Sequence, residues 1–177
     1  MHTPYHKETK ATLPERLLEA TFSVTLSHPN SCLSMNDRPL IKEFHYDAPV
    51  EAVWQALTTT DAMQVWYFPQ LRAFEPVVGF AFQFNDDGDE YQKVWTVIHV
   101  DEGKTLVHSW TYKGYPGISE VRFDIVPEAG TTRLRVTHTG IDRFPDDSHF
   151  KRERFEWGWD TLLGQNLQQL LQRKDLQ

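Results

Sequence analysis

The chain has 177 residues, room for one domain or one domain and a tail, and its 40% hydrophobic and 13% aromatic residues are ample for a core. A formal charge of −7 argues against nucleic acid, which is held by Lys and Arg on phosphates, and against an anionic membrane surface. The single Cys32 makes neither an internal disulfide nor a thiolate metal site. No apolar run is long enough to cross a bilayer, and the start lacks the pattern of a signal peptide, so a cytoplasmic protein is expected.

Thr12 and Glu15 are spaced as a capping box for a short helix, Leu13 to Ala20, after which His28 to Ser31 and Met35 to Pro39 read as loop. Residues 1–38 are expected to form a loosely structured N-terminal extension that a start at Met35 would leave out. The folded domain is expected over residues 39–175. It opens on a strand, Ile41 to Tyr46, that alternates Ile41, Glu43 and His45 against Lys42, Phe44 and Tyr46. Pro49 and Glu51 begin a helix whose stripe is Val50, Val53, Trp54 and Leu57; the run Thr58 to Thr60 breaks it before a second short helix with Met63 and Trp66.

Strands follow at spacings too short for helices between them. Phe80, Phe82 and Phe84 put three rings on one face, and Asn85 to Asp89 is a turn. Tyr91 to Val100 reads as one long strand, and Leu106, His108, Trp110 and Tyr112 share a face of the next. Val121, Phe123 and Ile125 and then Leu134, Val136 and His138 alternate with polar residues, the pattern of an antiparallel meander with one wet face. Pro145 to Ser148 offers caps for a final helix running to about Arg173, with Phe155, Trp159, Leu162, Leu163, Leu167, Leu170 and Leu171 as its apolar face. The order is thus strand, two short helices, about six strands, and one long helix able to lie across the sheet.

This order resembles the family of homologues of the activator of the heat-shock-protein-ninety ATPase, within the START-like (SRPBCC) superfamily. The residues that carry it are Ala48 to Thr58 with Trp66, Val136-Thr137-His138-Thr139-Gly140, and Gly158-Trp159-Asp160-Thr161-Leu162-Leu163; it spans residues 40–173. It implies an α+β helix-grip fold, a curved antiparallel sheet of about seven strands wrapped round the C-terminal helix with a cavity between. Trp95 stands where a small residue is common in the family, and a ring there would narrow the cavity or fill its mouth.

Alternation places Phe82, Phe84, Trp110, Tyr112, Phe123, Leu134, Val136, Phe155, Trp159 and Leu162 around the enclosed space, with Trp66 near its entrance. These rings either line a site for an apolar ligand, with Tyr112, His108 and His138 as polar handles, or simply fill the core. No acid shares a face with either histidine, which favours core or rim roles over general-base catalysis. The 8 histidines show no metal-ligand spacing, Asp86 to Glu90 lacks the calcium-loop pattern, and no phosphate loop or nucleophile elbow is present, so no cofactor is expected. Lys151 to Arg154 reads as a solvated face.

Three functions fit. The first is a binding module for an apolar small molecule or lipid, the second a cyclase- or hydrolase-type enzyme using Tyr112 or His108 in the same cavity. The third is a partner of a chaperone in stress response, although no counterpart of the separate chaperone-binding domain that the eukaryotic activator carries is expected from these residues. Monomer and dimer are both open.

Overall fold

The structure is a computed structural model that describes residues 38–173. The expected helix Leu13 to Ala20 and Cys32 lie outside the described residues. Strand β1 (Leu40–Tyr46) leads into α1 (Val50–Thr58) and α2 (Thr60–Trp66). Both helices place Val53, Ala56, Leu57, Met63 and Trp66 in the core, and the threonine run separates them as its composition predicts. Two short strands follow, β2 (Leu71–Ala73) and β3 (Gln83–Phe84), then β4 (Val97–Asp101), β5 (Thr105–Trp110), β6 (Ser119–Glu128) and β7 (Thr131–Thr139).

The main sheet is antiparallel with the order β1-β7-β6-β5-β4, and β2 and β3 form a separate pair. The seven strands therefore divide five and two. The longest ladder joins β6 to β7 from Glu120↔Thr139 to Glu128↔Thr131. On its inner face Val121, Phe123, Leu134, Val136 and His138 are almost fully buried, while Arg122 and Arg135 face water. Gly140 ends β7 in the left-handed region, where a Cβ would lie 2.9 Å from the Ile118 carbonyl, so only glycine closes this corner without strain.

Two strand expectations are corrected. Phe80 to Phe84 is strand only at Gln83–Phe84, with Ala81 in an isolated bridge to Thr96. Tyr91 to Thr96 keeps its alternation but is tied to its neighbours only by irregular bonds, such as Val94 N–H to Thr111 O and the bridge Lys93↔Tyr112. The ladder of β4 with β5 has a register shift between Val97 and His99, at the point where this irregular segment joins it.

The C-terminal helix begins later than the caps suggest. Asp147 accepts the His149 N–H and caps a single 3-10 turn, Ser148–Phe150. The helix proper is α3 (Arg152–Thr161), a π segment Leu162–Leu167, and α4 (Gln168–Gln172), running on without a break. The π segment is fixed from outside: the Tyr46 hydroxyl donates to the Leu163 carbonyl (3.0 Å), and the Asn166 amide donates to the Trp66 carbonyl (3.3 Å). Trp159 meets Phe123 and Trp110 of the sheet, and Lys42 of β1 pairs with Asp160. The helix is thus gripped across β5, β6, β7 and β1, as in a helix-grip fold.

Candidate functional site

The middle of the grip is filled by rings. Tyr67, buried at the end of α2, is the hub: its ring stacks on Trp66 (4.5 Å between centroids) and meets Trp95, Trp110, Phe123 and Trp159 within 6.3 Å. Trp95 lies 4.2 Å from Trp110 and also packs on Phe82 and Phe84. Trp95, expected to narrow the cavity or fill its mouth, is 1% exposed within this cluster and is not among the residues that line the cavity described below. Trp66, expected at an entrance, is 1% exposed and donates its indole N–H to the Ala56 carbonyl (2.7 Å). Each aromatic pair adds about 0.5–1.5 kcal/mol beyond area burial. The Trp95 indole N–H has no hydrogen-bond partner among the described residues, a cost of about 1–3 kcal/mol inside this cluster.

Both inward histidines are saturated, in opposite tautomers. The Ser109 carbonyl can only accept, so His108 carries its proton on Nδ1 (2.8 Å) and Nε2 accepts from the Tyr67 hydroxyl (3.0 Å). At His138 the Trp159 indole N–H donates to Nδ1 (3.3 Å), so Nε2 donates to Ser119 Oγ (2.8 Å), which in turn donates to the Trp110 carbonyl (3.1 Å). Burial lowers the His108 pKa to about 4 and that of His138 to about 3, and both rings are neutral near pH 7. Neither bonds a carboxylate, and neither is on the wall of the cavity described next. Their geometry is that of polar plugs within an aromatic core.

The grip opens at one end. A cavity of about 280 Å³ lies between the irregular Tyr91 to Lys93 segment and α3. Its rings are Phe68, Tyr91, Trp110, Tyr112, Phe155, Trp157 and Trp159, and the C-terminal helix adds Gly158, Thr161 and Leu162. Of the predicted ligand residues, Trp110, Tyr112, Phe155, Trp159 and Leu162 are brought together on this wall. Trp66, Phe82, Phe84, Trp95, His108, Phe123 and His138 instead pack into the ring cluster behind it. The Tyr112 hydroxyl accepts from the Trp110 indole (2.8 Å), and burial pushes its pKa up to about 12, so it offers a hydrogen bond and no charge.

Alternation along the strands missed much of the wall. Tyr91 is covered by His149, stacked on it at 3.5 Å, and Lys93 and Arg154 stand at the rim. Gly158 is the most telling omission. It sits inside α3, where glycine costs about 1 kcal/mol relative to alanine, yet a Cβ there would meet nothing within 4 Å. The glycine itself lines the cavity.

A larger hollow of about 730 Å³ separates α1 and α2 from α4. Its walls are alanine-rich and polar, including Ala52, Gln55, Ala62 and Arg173, and hold no aromatic ring. Ligand sites are rich in aromatic side chains with a few polar groups, so the smaller cavity is the better site. Among the described residues no three His, Cys, Asp or Glu side chains gather to hold a metal ion, and no helix is long and apolar enough to cross a membrane.

A sheet wrapped on a terminal helix with an aromatic cavity at its open end defines a START-like, helix-grip protein. The family described as activator of Hsp90 ATPase homolog 1-like protein matches residues 47–172, well over half of the chain, and the chain belongs to that family. Among solved structures, protein MLL2253 of Mesorhizobium loti is similar at 26% identity, covering 78% of this chain and 99% of its own, with a TM-score of 0.62. Protein CV1439 of Chromobacterium violaceum (18% identity, 77% and 98% covered, TM-score 0.62) shares the fold. So does PFC0360w, an HSP90 activator of Plasmodium falciparum (17% identity, 75% and 95% covered, TM-score 0.60). No curated protein matches the chain in sequence.

Proposed function

We propose that this protein binds a small hydrophobic molecule in the cavity between Tyr91–Lys93 and α3. The observation that carries this reading is Gly158, a helix-interior glycine with open space where its side chain would be, on the wall of a cavity lined by seven Phe, Tyr and Trp rings. Helix propensity alone favours alanine there, and the open space would admit it, so neither the helix nor crowding explains the glycine. A volume of about 280 Å³ lies at the lower edge of ligand sites, so the ligand is one compact molecule rather than a long lipid. Native mass spectrometry of the purified protein, followed by solvent extraction, tests this. A stoichiometric adduct is expected on the wild type and not on Gly158→Trp, whose ring would occupy the cavity. An adduct of equal occupancy on both would refute the site.

The family also supports a chaperone-associated role. That reading predicts that the purified protein changes the ATP turnover of a chaperone of the Hsp90 class, and unchanged turnover together with no pull-down would remove it.

A further inference from the structure

The charges at the rim suggest what kind of molecule the cavity takes, an inference that rests on the ligand-site reading above. Elsewhere seven Lys and Arg side chains sit on carboxylates: Lys42 on Asp160, Lys104 on Asp101, Arg122 on Asp124, Arg133 on Glu43 and Glu128, Arg135 on Glu43, Lys151 on Asp146, and Arg152 on Glu156. Lys93 and Arg154 take part in none of these pairs, and both line the cavity. Lys93 is half-buried, with its Nζ 4.9 Å from the centroid of Phe68 and 5.9 Å from that of Phe84. The ring faces hold the ammonium against the apolar wall without neutralising it. Arg154 lies one turn before Gly158 on α3, so its guanidinium and the space above the glycine share a helix face.

The carboxylate on the wall, Asp89, is turned into its own loop, where Oδ1 accepts the Tyr91 N–H (3.0 Å). His149 faces the same space; burial and the nearby Arg154 hold its pKa below the usual value, so it is neutral at pH 7. Asp147 bonds the His149 N–H and the Tyr91 hydroxyl from behind. Lys93 and Arg154 against Asp89 leave one positive charge on the wall, in a chain whose net charge is −7. The Asp87 carboxylate feels the Lys93 charge but does not pair with it, and a cation next to apolar rings without a paired carboxylate is a poor way to stabilise a fold, though it suits an anion that arrives with an apolar body.

We infer that the ligand is an anionic amphiphile, a compact apolar ring or short chain seated on Trp110, Phe155 and Trp159 with a carboxylate or similar oxyanion at Lys93 and Arg154. Two fluorescent probes with the same rings test it: 1-anilinonaphthalene-8-sulfonate, which is anionic, and N-phenyl-1-naphthylamine, which is neutral. The wild type is expected to bind the sulfonate at least tenfold more tightly than the amine. In Lys93→Met/Arg154→Met that ratio falls about tenfold. Arg154→Glu, an exposed change that preserves the fold, lowers it in the same direction. A ratio near one in the wild type, or one unchanged in the folded variants, overturns the anionic class while leaving the cavity reading intact. If neither probe binds, or Gly158→Trp leaves both bound as before, the cavity reading itself falls and this inference with it.

Discussion

Two regions of the same grip between sheet and helix are used in opposite ways. Under the middle of the helix, Trp66, Tyr67, Trp95, Phe123 and Trp159 close on one another, and the two buried histidines spend every polar atom on neighbours. At the open end, Tyr91, Tyr112 and Phe155 have the same chemistry, yet Gly158 withholds a side chain and two cations stand without carboxylates. The difference is one of volume and charge balance rather than hydrophobicity. Large rings alone therefore do not mark a binding site; the marks are the missing atoms and the unmatched charge beside them.

The contrast is broken most severely from the core side. Trp159→Ala removes a ring that is 1% exposed, together with the donor to His138, and is expected to cost about 3–5 kcal/mol in urea unfolding. A cost below 1 kcal/mol would mean that the middle of the grip is as loosely filled as its end.

The next largest effect is a pH dependence. His108 has a folded pKa of about 4, below its ordinary value near 6.5, so between these values the unfolded chain binds the proton and the folded one does not. Stability therefore falls as pH drops from about 6.5 to 4, with a slope of up to about 1.4 kcal/mol per pH unit from this group and a total on the order of 3 kcal/mol. His138, lowered to about 3, continues the loss to lower pH. His108→Gln is expected to flatten the slope of unfolding free energy between pH 6 and 4.5. An unchanged slope would show that this imidazole is solvated and belongs to the open region.

Much of this architecture is legible in the sequence. The alternation of Val121, Phe123 and Ile125 and of Leu134, Val136 and His138 gives the inner face of β6 and β7, because burial on one side enforces period two. The break at Thr58 to Thr60 separates α1 from α2. The segment Tyr91 to Thr96 misleads, since its irregular pairing, up to the register shift at Val97, leaves its periodicity unchanged. Five wall residues of the cavity follow from their inward positions on β5, just beyond it, and in the C-terminal helix. Lys93, His149, Arg154 and Gly158 do not, because hydrophobic patterning is blind to residues chosen for charge or for absence. Whether rings meet or leave a gap depends on their packed volume, which periodicity does not encode.

Two smaller effects sharpen the contrast at adjacent positions of α3. Gly158→Ala is expected to raise stability by up to about 1 kcal/mol, roughly 2–4 °C in Tm for a chain of this size, because its Cβ meets nothing and alanine favours helix. A loss of stability would mean that the space is already occupied by packing. Trp157, 69% exposed, stands at the rim, and Trp157→Ala should change stability by less than about 0.5 kcal/mol. Its effect is expected in binding, where an exposed ring covers one side of a bound molecule, so the affinity for 1-anilinonaphthalene-8-sulfonate should fall several-fold while the unfolding curve stays put. A shift in unfolding with no change in affinity would assign Trp157 to the core's economy of packing and not to the site.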